Sequence, residues 1–341
     1  MTPAELSRTL TRAVRCAVED GELRVVVPDR VVVERSRPGG RGDYASNVAL
    51  RLSRAAGLSA AEVARVLCQR LAGEPGVRSV EITGPGFLNF TLALDLAPVD
   101  EVRRLGSRYG CGGSMAGAVV AVGAEPSGLR ARVYWEVALR LLAAQGARVA
   151  LEGPGLEAAG LHGLAEPEAV RRFGAGAVRW GVLATPASEA VHLDAGLLVQ
   201  GEGNPYFTVR YAYARSRALE RSAAQLGFGG APVAVGAAAV GAPYESVAGP
   251  GVDARGGRLV GLLAEYPLVL EAAAHRRAPE RLVRHLVAVA DELLDFQCSV
   301  LPLGEEKPLA AHRSRLAVAE AAGVVLAGGL SLLGIDAPEF L

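Results

Sequence analysis

The stretch AVGAEPSGLRARVYWEVALRLLAAQGARVALEG, residues 121–153, follows the order strand, glycine-bearing turn, long helix, strand with which many nucleotide sites begin. Binding phosphate at such a turn needs backbone N–H groups held open by glycines, with a cation close by. The turn offers Pro126, Ser127 and Gly128 before Leu129 and Arg130, and it contains neither GxGxxG nor GK[ST]. Lys307 is the single lysine among 36 basic side chains, which removes mechanisms built on paired lysines and leaves planar, stacking cations abundant. Glu125, Glu136, His162 and His192 with Asp194 are the groups that could pair as acid and base. No spacing among them defines a positioned site, so structural roles are expected. Cys16, Cys68, Cys111 and Cys298 lie far apart without CxxC or Cys/His metal spacing, so neither a zinc site nor a disulfide framework is expected, and no cofactor is assigned.

A second chemistry is open to rings, amides and guanidinium groups. Phe207, Tyr211 and Arg215 follow one another at four-residue spacing and share one helical stripe. Stripes of this kind usually pack, and Phe207 is expected in a bundle core. In FLNF, strand alternation puts Phe87 and Asn89 on one face and Leu88 and Phe90 on the other. Asn47, with Tyr44 nearby, opens a helix and is expected to make a helix-start or inter-element hydrogen bond rather than an external contact.

The elements that must position these groups fall into three parts. Residues 3–19 have helical apolar spacing with Gly21 as a stop, and RVVVP at 24–28 with VVVER at 31–35 read as a hairpin, followed by the turn-rich loop 36–44. Two helices follow between Ala45 and Leu71; Ser59 is a good N-cap for the second because Glu62 stands three residues on. Strands at 77–84 and 87–94 flank the turn Gly84-Pro85-Gly86, giving helix, strand, strand, helix, helix, strand, strand. That order suits a small antiparallel α+β domain over 1–113. The segment 114–203 holds the opening βαβ pattern and a helix expected over 166–185. Beyond Asn204 only helical periods occur, so 204–341 is read as an all-α bundle, with residues 226–256 as a long loop.

Half the residues are apolar, enough for a sizeable core, and 36 basic side chains balance 36 acidic ones. Neutrality excludes the strongly basic footprint of a non-specific nucleic-acid binder; RNA contacts would have to come from local arginine patches and weaken with salt. No run of 18 apolar residues lacks a charge and the N-terminal stretch has no signal pattern, so a cytoplasmic protein without a membrane span is expected.

GDYASNVALRL at 42–52, joined to GPGFLNF at 84–90, resembles the tRNA-elbow-binding domain that opens arginyl-tRNA synthetases. NPYFTVRYAYAR at 204–215 resembles that family's NPVYYVQYAHAR helix, and RLAVAEAAGVVLAGGLSLLGIDAPEFL at 315–341 resembles the end of its DALR anticodon-binding domain. Between them, EAVRRFGAGAVRWGVLATPASEAVHLDAGLL at 168–198 is similar to the segment after the family's KMSKS loop. The resemblance implies a multidomain α+β fold: an antiparallel N-terminal domain, a shrunken α/β remnant of a Rossmann catalytic domain, and a C-terminal DALR-type bundle.

It also implies function. Phe87 and Asn89 would meet the tRNA D-loop, one stacking and the other hydrogen-bonding base edges. Phe207, Tyr211 and Arg215 would face the anticodon loop, with Tyr213 and Arg210 standing where the family has histidine and glutamine. Arg217 and Arg221 lie on other faces of that helix. The family places an HxGH signature after the strand and a KMSKS loop further on, to stabilise charge on ATP. Here His162, His192, His275, His285 and His312 never form HxGH, and one lysine cannot form KMSKS. A βαβ unit needs roughly 30 residues, so 114–203 is too short for a two-half nucleotide fold. The resemblance therefore implies a catalytically disabled paralogue that binds tRNA, with the arginine-accepting species as first candidate. A protein-interaction or regulatory subunit on the same scaffold is the alternative, and residual arginine-tRNA ligase activity is a third reading.

Overall fold

A computed structural model describes residues 3–29, 31–36, 41–74, 76–92, 96–153, 166–231, 252 and 254–341. They fall into two compact units, one within 1–95 and the other within 96–341. The boundary expected at 113/114 lies inside the second unit, and so does the one expected at 203/204.

The first unit runs α1 (Pro3–Glu19), β1 (Glu34–Arg35), β2 (Tyr44–Ser46), α2 (Val48–Ala56), α3 (Ala60–Leu71), β3 (Val77–Thr83) and β4 (Phe87–Leu92). The order of helices and strands is the expected one, but β1 keeps only the end of the second expected run and β2 falls on the end of the expected loop and the start of an expected helix. The run 24–28 forms no ladder, and only Glu34–Arg35 of the second run pairs, with β2. Pro28 has no N–H to donate. The carbonyls of Val31 and Val32 accept from the hydroxyls of Ser7 and Ser46 instead of from a neighbouring strand. Leu23, Val25, Val27 and Val31 still pack on the core, which explains the apolar pattern without a hairpin.

The four-stranded sheet has the order β1-β2-β4-β3 with every pair antiparallel. Its covered face meets Leu6, Leu10, Val14 and Ala17 of α1 and Val63, Leu67 and Leu71 of α3, around the fully buried Leu88 and Phe90. α3 begins with the expected capping box: Ser59 N–H donates to Glu62 Oε2 at 2.8 Å and Glu62 N–H to Ser59 Oγ at 3.2 Å. Those Ser59 bonds hold the Glu62 carboxyl below its ordinary value.

Gly86 decides how the β3–β4 turn sits. Its φ is +142°, and a Cβ there would lie 2.8 Å from the backbone carbonyl carbon and oxygen of Ala60. Only glycine lets the turn press onto the start of α3. Gly86→Ala should cost about 1–3 kcal/mol of stability, measured as a lower urea midpoint at unchanged slope.

The second unit contains α4 (Ala97–Leu105), β5 (Val119–Ala121), α5 (Leu129–Ala144), β6 (Arg148–Ala150), α6 (Glu166–Phe173), α7 (Ala175–Ala184), α8 (Pro205–Gln225), α9 (Ala254–Arg276), α10 (Glu280–Phe296) and α11 (Ala310–Leu333). β5 and β6 pair in parallel across α5, the single βαβ unit among the described residues. The helix expected over 166–185 is two helices, because Gly174 takes φ +81° between them. Most of the loop expected at 226–256 lies outside the described residues.

α11 forms the centre of the bundle, with Leu316, Ala319, Ala322, Leu326, Leu330 and Leu333 buried. Glycines let its neighbours approach: a Cβ on Gly323 would meet Ser216 Oγ of α8 at 2.3 Å, and one on Gly329 would meet Leu286 of α10 at 2.5 Å. Among the described residues α11 is the one helix long and apolar enough to cross a membrane, but 67% of that stretch is buried inside the protein, as befits a core helix.

Candidate RNA-binding surfaces

Beyond the turn between β5 and α5, two side chains of α5 hold the 185–189 loop. Arg130, 3% exposed, donates from one terminal nitrogen to the carbonyl of Pro186 at 2.6 Å and of Thr185 at 3.4 Å, and from the other to the carbonyl of Glu189. Tyr134 donates its hydroxyl to the Thr185 carbonyl. Burial, with Glu280 adding, pushes that hydroxyl up to about 12, so it keeps its proton for the bond. Trp135 Nε1 donates to the Gly123 carbonyl at 2.8 Å, tying the helix back to the turn. The cation nearest the turn in sequence thus clamps the 185–189 loop to α5.

The acid–base candidates are dispersed in the same way. Glu136 pairs with Arg179 at 2.7 Å, and Asp194 accepts from the N–H of Gly196 at 2.7 Å as a cap for the turn 195–198. Glu125 and His192 are exposed, and His162 lies outside the described residues. Among the described residues no group of three or more His, Cys, Asp or Glu could hold a metal ion.

In the first unit, β4 places its side chains as alternation requires. Leu88 and Phe90 are buried against the helices, while Phe87 is 40% exposed on the opposite face. Asn89 shares the Phe87 side but is 8% exposed, flanked by Ala45 of β2 and Glu81 of β3. Its Nδ2 donates to Thr83 Oγ1 at 2.7 Å and, longer, to the Glu81 carbonyl at 3.4 Å. The amide nominated for base edges is therefore engaged within the sheet. Asn47 reverses its expectation too: it occupies the N-cap position of α2, but its side chain makes no capping bond and is exposed. Tyr44, near it in sequence, is buried in the core. Sequence could not distinguish the two asparagines, because the difference arises from a partner six residues away on another strand.

In the second unit, α8 starts at the buried Asn204. Its Oδ1 accepts from Tyr206 N–H at 3.1 Å, while Nδ2 donates to the carbonyls of Leu197 at 3.0 Å and Val199 at 2.8 Å. Thr208, Val209, Ala212, Ser216, Leu219 and Ala223 form the inward stripe. Phe207 is half-buried rather than core, and its ring stacks on Tyr211 with centroids 5.6 Å apart and planes 12° off parallel. Tyr211 is 37% exposed. Arg215 donates from Nε to Gln297 Oε1 at 2.7 Å, an orienting contact that sequence did not reveal. The expected stripe of two rings and a guanidinium group is thus assembled at the surface.

The neighbouring face of α8 is occupied. Arg210 lies 5.1 Å over the Tyr206 ring. Arg217 pairs with Glu220 and, at 3.5 Å, with Glu339, while Arg221 lies 4.4 Å over the Phe340 ring. Burial opposes the charge on Arg217, but Glu220 and Glu339 outweigh it and hold the guanidinium above its ordinary value. Tyr213, half-buried between these groups, has its hydroxyl raised by burial. Glu220 is also raised by burial, against the pull of Arg217. The segment after α11 supplies the carboxylate and ring of these contacts, which no local pattern announces.

Comparison with known proteins gives two family matches. Residues 6–92 match the arginyl tRNA synthetase N terminal domain and residues 209–341 the DALR anticodon binding domain. The chain is 53% identical over 112 residues to an arginine–tRNA ligase of Frankia alni, covering 32% of this chain and 20% of that protein. It is 40% identical over 166 residues to one from Paenarthrobacter aurescens, covering 45% and 30%. The chain thus spans less than a third of the length of these curated relatives. Among solved structures, Thermus thermophilus arginyl-tRNA synthetase aligns with a TM-score of 0.70 at 14% identity over 100% of both chains, a likeness of fold.

Proposed function

Because the chain belongs to the arginyl-tRNA synthetase family, we propose that it holds tRNA without aminoacylating it. The D-loop would meet the Phe87 face of the first unit, and the anticodon loop the Phe207–Tyr211–Arg215 stripe of α8. The arginine-accepting tRNA is the first candidate ligand, and the protein acts in translation-related RNA handling in the cytoplasm. It needs no cofactor for this.

One observation carries the reading: Arg130, the cation nearest the β5–α5 turn in sequence, is buried and committed to the carbonyls of the 185–189 loop, so it is not free to meet phosphate at that turn. HxGH and KMSKS are absent from the sequence, so the cations that neutralise triphosphate in the family have no counterpart. Exposed stacked rings, by contrast, suit unpaired bases, which bind through stacking and base-edge hydrogen bonds.

ATP–pyrophosphate exchange dependent on arginine tests the inactive half of the proposal. No exchange above background is expected at high protein concentration, and arginine-dependent exchange by the purified chain would refute it. A second reading has its own support: Arg210, Arg217 and Arg221 are taken up by internal contacts, which leaves α8 fewer cations for phosphate and suits a surface reused for a protein partner in a regulatory role.

A further inference from the structure

We propose that the corner between α9 and α10 is a phosphate-gripping surface for the backbone of the bound RNA, made by Arg276, Arg277, Arg281 and Arg284. The inference rests on the RNA-binding reading above and adds a contact, separate from the α8 stripe, that carries affinity without sequence preference.

The corner breaks two local rules of helix ends. Helices α1, α5, α8 and α11 close with the same pair of backbone bonds, and the residue that turns left-handed there is Gly21, Gly146, Gly227 or Gly334. α9 closes in the same way: Arg277 N–H donates to the Ala274 carbonyl at 3.2 Å and Ala278 N–H to that of Ala273 at 3.0 Å. Yet its turning residue is Arg277, at φ +51°, where a side chain is strained. No other residue besides glycine has a positive φ among the described residues. The second rule concerns charge. A helix start carries partial positive charge and favours acids, as Glu280 obeys, but Arg281 lies in the same first turn of α10 and Arg284 one turn on. Local rules broken together at one place mark a site kept for function rather than stability.

What these four guanidinium groups lack is a counter-charge. Between 275 and 284 four arginines stand against one glutamate, in a chain that is neutral overall. Arg12, Arg70, Arg103, Arg179 and Arg258 each pair with a carboxylate, whereas none of the four does so among the described residues. Arg276 and Arg284 are exposed, and the buried Nε of Arg281 has no hydrogen-bond partner. Arg277 makes one long bond, from Nη2 to the Ala121 carbonyl at 3.3 Å, which leaves the rest of its planar fork open.

Guanidinium forks match phosphate oxygens two at a time. Among the described residues no large apolar side chain between Leu226 and Leu303 is exposed, so the corner has no apolar centre of the kind a protein interface is built around. Charge without that centre suits a phosphate backbone. The corner is also distant from the α8 stripe. α10 has 17 residues and is therefore about 25 Å long. Gln297, which holds Arg215, caps its far end, and the corner lies at its start. RNA that meets both must run along α10.

The test is filter binding of the full chain, across a salt series, to a transcript of an arginine-accepting tRNA and to an unrelated RNA duplex. The double variant Arg276→Ala/Arg284→Ala is expected to bind both RNAs about tenfold more weakly at low salt, with the slope of log affinity against log salt reduced by about two. Both side chains are exposed, so its melting temperature is expected to match the parent's. Arg277→Gly separates function from folding: it is expected to raise the melting temperature by about 2–4 °C, by relieving the left-handed arginine, and still to weaken binding of both RNAs. Parental affinity and slope in the double variant, with Phe207→Ala/Tyr211→Ala weakened, overturn the corner and leave the RNA reading standing. A lower melting temperature for Arg277→Gly at parental affinity also overturns its part, making Arg277 a strut for β5. Polyglutamate bound by the parent as tightly as the duplex, and lost equally in the double variant, would make the corner a carboxylate surface and overturn the assignment to phosphate. If the parent retains no RNA at low salt, the RNA reading fails and this inference with it.

Discussion

Arg130→Ala is expected to destabilise the second unit by about 3–5 kcal/mol, seen as a marked fall in urea midpoint for that unit's unfolding transition. The guanidinium is 3% exposed and serves the carbonyls of Thr185, Pro186 and Glu189. Removing it leaves acceptors without their charged donor, opens space beside Tyr134 and frees the 185–189 loop from α5. Hydrogen bonds to charged donors contribute about 1.5–3 kcal/mol each, and the three do not add fully because they share one side chain. Arg130→Lys should recover little, since an ammonium cannot span carbonyls presented to a planar fork. If alanine leaves the midpoint unchanged, the clamp is not what holds the 185–189 loop to α5.

The second large effect concerns α8. Replacing Phe207 and Tyr211 together by alanine should weaken binding of an anticodon stem-loop by about tenfold or more, because each stacked base is worth about 1–3 kcal/mol. Stability should fall less than for a core deletion, since Phe207 is half-buried and Tyr211 is 37% exposed. Arg215→Ala should give a smaller loss of affinity, through the guanidinium that Gln297 orients at 2.7 Å. Equal binding by the double variant and the parent would favour the protein-partner reading of this face.

Much of this architecture is legible in the sequence wherever the signal is local. The Ser59/Glu62 capping box, the alternation of Leu88 and Phe90 with Phe87, the βαβ order at 119–150 and the four long helices beyond Asn204 all come from spacing of three, four or two residues. The failures have a common physical origin in partners that are distant in the chain. VVVP reads as a strand, yet neighbouring hydroxyls from Ser7 and Ser46 satisfy carbonyls of the following run and Pro28 has no donor. The helix over 166–185 breaks at Gly174, where helical periodicity continues across a left-handed residue. At the candidate sites, residue types were readable and their availability was not. Asn89 is taken up by Thr83, Asn47 is left open at a helix start, and Arg217 and Arg221 are covered by Glu339 and Phe340 from more than a hundred residues away.

In the proposed function, two surfaces of this neutral chain hold tRNA through local rings, amides and arginines. Retention of tRNA on filters by the purified full chain across a salt series tests it most directly. The account predicts binding at low salt whose logarithm falls linearly with the logarithm of salt concentration, as release of counterions from a few phosphates requires. No retention of tRNA at the lowest salt would contradict it.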